Sequence, residues 1–389
     1  MSSGRNISGA SSNFLCDIER LRGFACILVF IQHIIWIAPY NFLIQLVPGW
    51  LSIGSGGVHI FFAISGFAVT YSLFDKFSKL DGGFLENIQQ SKEWLVLFYK
   101  KRFFRIFPAI FVLMILSAIF LYYTSKDNAW PTQLICCPFE ILMGTFNNIV
   151  DAFAFDKLIY TSTIGPLWTL AVESQFYMFW PLVLLACKNN NQRAVVSLTL
   201  GLLFAFIVHP LNNMFLQNNY YWTANNVSEL FLGSFFAFLY KGGFKIEISS
   251  CGAKWAAVFF AFAVWFYPSV WADSAKIFCT SIIITFASVM TVAFCAFCND
   301  SFNFPLFGRI FGFLGKRSFS FYIVQLLTAQ IVLWFTNSIF FSSSKSQDFG
   351  FDTLQFVIFV TALLIMTELM YRFVEIPSRR LHVSNKQEK

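Results

Sequence analysis

The chain has 389 residues, of which 57% are hydrophobic and 12% charged, and its mean hydropathy is +0.64. A soluble domain carries about 25% charged residues, and no soluble surface hides 53 phenylalanines. The composition excludes a soluble globular class and predicts an all-α, polytopic integral membrane protein.

Ten apolar stretches are candidate spans, near 21–40, 56–75, 103–123, 168–187, 194–210, 224–240, 254–271, 277–298, 318–340 and 353–374. With the N-terminus inside, all Lys and Arg residues except Lys126, Lys157, Lys276 and Lys345 fall on cytoplasmic segments. That asymmetry is a positive-inside signal and predicts that both termini are cytoplasmic. It also accounts for the net charge of +7 without nucleic acid as a partner. The expected organisation is a cytoplasmic tail at 1–19, a transmembrane domain at 20–375 and a cytoplasmic tail at 376–389. Within the domain lie an inner basic loop at 76–102 and an outer loop at 124–167. The apolar stretch 134–149 in that outer loop is short for a span and reads as re-entrant or interfacial. The N-terminus has no apolar core of a signal peptide. The nine cysteines have neither metal-ligand spacing nor the look of a disulfide framework, so no metal is expected.

In chain order, Arg22 opens the first apolar stretch and His33 lies eleven residues on. Three helical turns separate them, roughly 16 Å along one face. An ionisable residue inside a span is a functional-site candidate. Arg22 alone also reads as an interfacial anchor, and His33 as a side chain bonded to a neighbouring helix.

The second stretch opens with Gly54, Gly56 and Gly57, followed by His59, Ser65 and Gly66. A helix N-terminus there can meet an oxyanion, or the glycines simply permit close packing, the reading favoured for Ser65 and Gly66. His59 is either interfacial or a second polar group near His33. Arg102 and Arg105, three residues apart at the start of the third stretch, share a face. They can grip phosphate or anchor the span. Trp168 marks the outer interface of the fourth stretch. Glu173 lies deeper, with Tyr177 one turn below. A carboxylate there can orient His33, hold a sugar hydroxyl, or bond another helix.

Six segments in this order resemble the acyltransferase-3 family of polytopic membrane O-acyltransferases. They are Arg22 with His33, GGVHIFFAISGF at 56–67, RFFRIFP at 102–108, PLWTLAVESQFY at 166–177, LGKRSFSFYIVQ at 314–325 and FVEIPSRRL at 373–381. The resemblance implies catalysis by His33, with Glu173 beside it, and donor contacts from Arg22, Arg102 and Arg105. A substrate-facing or supporting tier would comprise His59, Ser65, Trp168, Tyr177, Tyr322 and Gln325. The chain departs from the family pattern at Glu173-Ser174, where a carboxylate doublet is usual, and at Gln325, where histidine is common. A role for Gln325 is thereby put in question. The fused extracytoplasmic domain of many relatives is not expected.

The implied reaction takes an acyl group, acetyl by default, from acyl-CoA at the inner face. It delivers the group to a glycan hydroxyl at a bacterial inner membrane. Acetyl-CoA enters as co-substrate, with no permanently bound cofactor. Direct transfer and an acyl-histidine intermediate both stay open. A secondary transporter and a scaffold subunit of a glycan complex are the competing readings.

Overall fold

The computed structural model describes residues 7–34, 53–80, 82–124, 163, 165–215, 221–244, 250–270, 277–298, 307–340 and 349–380. The described residues are helix and connecting turns, without a strand. In chain order the helices are α1 (Ile7–Ile34), α2 (Ile53–Phe77), α3 (Phe84–Thr124), α4 (Leu167–Leu185) and α5 (Asn190–Leu203). A π-helical stretch, Phe204–Val208, joins α5 to α6 (His209–Phe215). A single turn, Thr223–Asn226, precedes α7 (Ser228–Lys241). Then come α8 (Ser250–Val270), α9 (Ile277–Phe297), α10 (Phe307–Lys316), α11 (Ser318–Phe340) and α12 (Phe349–Met370). A second π-helical stretch, Tyr371–Glu375, leads into α13 (Ile376–Arg380).

Each of the ten apolar stretches is mainly helix where it is described, with a break at Val227 in the stretch 224–240. Among the described residues, five segments are long and apolar enough to cross a membrane: Gly54–Phe77, Phe84–Thr124, Asn190–Asn212, Ser318–Thr336 and Leu354–Arg380. The stretch 134–149, most of the outer loop 124–167, and all four outer-loop lysines lie outside the described residues.

Three segments read as tails or loops are helical. Helix α1 begins at Ile7, well inside the polar tail, and its Asp17 is buried and paired with Arg20 at 2.7 Å. Helix α3 has 41 residues and extends into the basic inner loop. There Asn87, Ser91, Leu95 and Phe98 are buried, at spacings of four, four and three that fall on one helical face. Loop charge masked that period. Asn87 donates to the carbonyls of Gly82 and Leu185, at 3.0 and 3.1 Å, and so pins the start of α3 to the end of α4.

The third is α10, which falls between the eighth and ninth apolar stretches, in a segment whose basic residues were assigned to the cytoplasmic side. It lies against α1 with backbones nearly touching. A Cβ at Gly23 would stand 2.0 Å from the Phe311 carbonyl oxygen, and one at Gly315 would stand 1.8 Å from that of Glu19. Small residues allow such approaches between helices in an apolar medium.

Helix α2 runs through the middle, against α1, α4, α7, α8 and α9. Aromatic contacts fasten the neighbours: Phe30 of α1 stacks on Phe359 of α12, with ring centroids 5.8 Å apart. Arg193 is fully buried and donates to the carbonyls of Leu184, Phe77 and Cys187 at 3.0, 2.9 and 2.8 Å. One guanidinium thus satisfies carbonyls left over where α2 and α4 end.

Candidate functional site

The three arginines lie close together. Arg22 projects from α1, and Arg102 and Arg105 from α3, where the chain has come back toward the same end of the bundle. Arg22 lies within electrostatic reach of Arg105, Arg379, Glu173 and Tyr177. Arg102 is likewise coupled to Arg105, Glu173 and Tyr177. Its guanidinium sits over the rings of Tyr177 and Phe98, 4.8 and 5.3 Å from their centroids, a cation–π arrangement that holds the charge in place.

Glu173 is the carboxylate of this cluster. Its Oε1 accepts from Ser65 Oγ at 2.6 Å, and its Oε2 accepts from Tyr177 OH at 2.7 Å. Glu173, Ser65 and Tyr177 therefore form one unit across α4 and α2. Ser65 is a hydrogen-bond donor rather than a packing residue. Among the described residues, Arg22, Arg102 and Arg105 form no salt bridge, whereas the nearby Arg379 pairs with Glu375. Ser320 Oγ also donates to Glu375, at 2.5 Å. Three guanidiniums thus share the neighbourhood of one carboxylate whose oxygens already accept two hydroxyls. All three arginines are half-buried; partly desolvated charge without a counter-ion is costly, and a phosphate-bearing ligand is its natural complement.

His33 stands on the same continuous helix, three turns from Arg22. Its Nδ1 meets Gln325 Oε1 at 2.7 Å, so α11 supplies its orienting partner. The orienting role considered for Glu173 goes to Gln325, the position where the sequence departs from the family pattern. With the amide oxygen accepting from Nδ1–H, the Nε2 lone pair is left to act as a base. Gln325 is fully buried.

His59 is not His33's neighbour in a shared network. Its Nδ1 pairs with Glu229 Oε1 at 2.8 Å. Glu229 also accepts from Thr285 Oγ1 and, at 3.0 Å, from Ser228 Oγ. This buried cluster joins α2, α7 and α9, and His209 lies within its electrostatic reach. Sequence reading missed Glu229, although a carboxylate in an apolar stretch was signal enough.

Trp168 and Tyr322 are packed where they stand. Trp168 lies edge-on to Phe62 and Tyr221, with centroids 6.1 and 5.3 Å away. Tyr322 OH is 3.0 Å from Thr169 Oγ1 and donates to the Pro166 carbonyl at 3.3 Å. Both residues fix the start of α4. The glycine-rich opening of α2 faces α1: a Cβ at Gly57 would lie 2.6 Å from the Ala25 carbonyl oxygen. Close packing there is the structural use of that glycine, as it is at Gly66, where a Cβ would meet the Leu230 carbonyl oxygen at 1.9 Å.

Residues 17–370 match the family model described as an acyltransferase domain. The O-acetyltransferase OatA of Staphylococcus aureus strain NCTC 8325 is 26% identical over 400 residues, covering 95% of this chain and 58% of that protein. The OatA of strain COL matches to the same extent. The chain thus spans less than two thirds of the length of these relatives. No solved structure matches. A family match over nearly the whole chain, together with the motifs now located on α1, α2, α3, α4, α11 and α13, identifies the chain as a member of the acyltransferase-3 family.

Proposed function

We propose that this chain is a bacterial inner-membrane O-acetyltransferase that moves acetyl from cytoplasmic acetyl-CoA to a hydroxyl of a surface glycan. The observation that carries this reading is the cluster of Arg22, Arg102 and Arg105 without an ion pair among the described residues, with Arg22 on the same face of α1 as His33. In this reading the chain crosses the membrane ten times with both termini inside, between tails at 1–19 and 376–389. The arginines hold the coenzyme A phosphates at the inner face. The rise of α1, roughly 16 Å from Arg22 to His33, is comparable to the length of the pantetheine arm.

The chemistry follows from the orientation of the imidazole. His33 Nε2 accepts the proton of the acceptor hydroxyl as that oxygen attacks the thioester carbonyl carbon. The tetrahedral intermediate collapses, the C–S bond breaks, and the departing sulfur takes the proton back from His33. The products are an O-acetyl ester and free coenzyme A. Glu173, held by Ser65 and Tyr177, offsets part of the guanidinium charge and keeps Tyr177 beneath Arg102.

Inside-out membrane vesicles supplied with acetyl-CoA radiolabelled in the acetyl group test the reading. Label should enter the glycan fraction with the wild-type protein and stay out with His33→Ala. Equal labelling by both proteins, or none by the wild type, would overturn the reading and return weight to a transporter or scaffold.

A further inference from the structure

The segments 314–325 and 373–381 meet at one buried carboxylate. Glu375 has no exposed side-chain surface. It accepts from Ser320 Oγ of α11 at 2.5 Å and from Arg379 Nη2 of α13, one turn further on. Burying a charge is costly unless it is paired and hydrogen-bonded, and Glu375 is both. It closes the π-helical stretch Tyr371–Glu375, a rare wide turn that shifts the register of the residues after it. Arg379 follows that turn with 42% of its side chain exposed. Its helix lies against α3, the helix of Arg102 and Arg105, and Arg379 is within electrostatic reach of Arg105 and Arg22. A guanidinium carries a fork of several N–H donors. Among the described residues, Glu375 engages that of Arg379 through Nη2 alone. The ion pair therefore sets the direction of the group and leaves donors for a ligand.

We propose that Arg379 is a further phosphate contact for the coenzyme A head of the donor, and that Glu375, braced by Ser320, is the positioning residue that aims it. This deepens the O-acetyltransferase reading and rests on it. Coenzyme A carries a diphosphate and a separate ribose phosphate, so its head offers acceptors in two places. Four guanidiniums, those of Arg22, Arg102, Arg105 and Arg379, share this region with the carboxylates of Glu173 and Glu375, and positive charge stays in excess. A guanidinium held in place beforehand loses less rotamer freedom when it grips phosphate than a free one does. Helix α11 then serves both parts of the site. Its Gln325 orients His33, and its Ser320 holds the carboxylate that directs Arg379.

Full-length protein in lipid nanodiscs is titrated with coenzyme A by calorimetry, and acetyl transfer is measured as kcat at saturating donor. Arg379→Ala should raise the dissociation constant about 10- to 100-fold, the range for a hydrogen bond to a charged group, with kcat little changed. Arg379→Lys keeps the charge without the fork and should recover part of the affinity. Glu375→Asp keeps the negative charge and draws the carboxylate back by one methylene. It should weaken coenzyme A binding several-fold in the wild-type background and leave it unchanged in the Arg379→Ala background, because its effect runs through Arg379. Ser320→Ala should follow the same pattern with a smaller loss. Wild-type affinity in Arg379→Ala would overturn the phosphate contact. An equal loss from Glu375→Asp in both backgrounds, with a lowered unfolding temperature, would overturn the positioning role in favour of packing between α11 and α13. If Arg379→Ala strands Glu375 and fails to fold, combining it with Glu375→Gln removes both charges. That double variant should show the same weakened affinity, and wild-type affinity in it would overturn the contact. A wild-type protein that binds no coenzyme A overturns the underlying donor reading, a result distinct from any pattern among the variants.

Discussion

Two histidines stand on adjacent helices, and the polar groups around them could hardly differ more. His59 faces a carboxylate, Glu229, which is in turn held by Thr285 and Ser228. His59 and Thr285 reach Glu229 from α2 and α9, so the plain effect of that cluster is to lock α2, α7 and α9 together. His33 faces a neutral amide, and the amide's far end has no partner among the described residues. The same contrast separates the arginines. Arg193 is fully committed to carbonyls, and Arg317 and Arg372 share Glu368. Arg22, Arg102 and Arg105 crowd around a carboxylate already taken by two hydroxyls. The mutually paired groups around His59, Arg193 and Arg317 build the scaffold, whereas the three arginines near Glu173 keep charge that the proposed donor would meet.

The largest effect should follow from His33→Ala. Removing a general base costs about 10²- to 10⁴-fold, so acetyl transfer should fall to background while the size-exclusion profile in detergent stays that of the wild type. The mirror experiment is Glu229→Ala, which strands His59. Breaking a buried pair by removing one partner costs about 3–5 kcal/mol. The unfolding temperature should drop steeply, and any surviving folded protein should retain donor affinity. If Glu229→Ala instead leaves stability untouched and abolishes transfer, the roles assigned to the two histidines are reversed.

Next in size come Arg102→Ala and Arg105→Ala. A hydrogen bond to a charged group is worth about 1.5–3 kcal/mol, or roughly 10- to 100-fold in affinity. Each variant should raise the dissociation constant for coenzyme A by that factor, measured by calorimetry, and change kcat less. Arg372→Ala, whose side chain is well exposed and shares Glu368 with Arg317, should leave that affinity alone. The smallest effect belongs to Tyr322→Phe. It removes a hydroxyl bonded at the start of α4, worth about 1 kcal/mol of stability, and transfer should remain within a few-fold of wild type.

Much of the site was legible because it rests on helical period. The Arg22 to His33 register needs only one continuous helix, and α1 provides it. Arg102 and Arg105 share a face for the same reason. What stayed hidden depends on which helix meets which. No spacing along α1 says that Gln325, 292 residues away, will orient its histidine. Nor does any spacing along α4 say that Glu173 will turn to Ser65. The fold shows the same division. Apolar length located the helices, but it passed over α10 and the first half of α3, whose charges resembled loops. Their buried faces recur every three or four residues, and a search for period rather than mean hydropathy would have found the inner part of α3. In α10, Phe307, Ile310, Phe311 and Leu314 recur at helical spacing, so the same search would have found that helix too.

The most direct measurement is a structure of the protein with acetyl-CoA bound. The account predicts the phosphates on Arg22, Arg102 and Arg105, with the thioester carbonyl carbon beside His33 Nε2. Phosphates bound at Arg317 and Arg372, or a thioester delivered to His59, would contradict it.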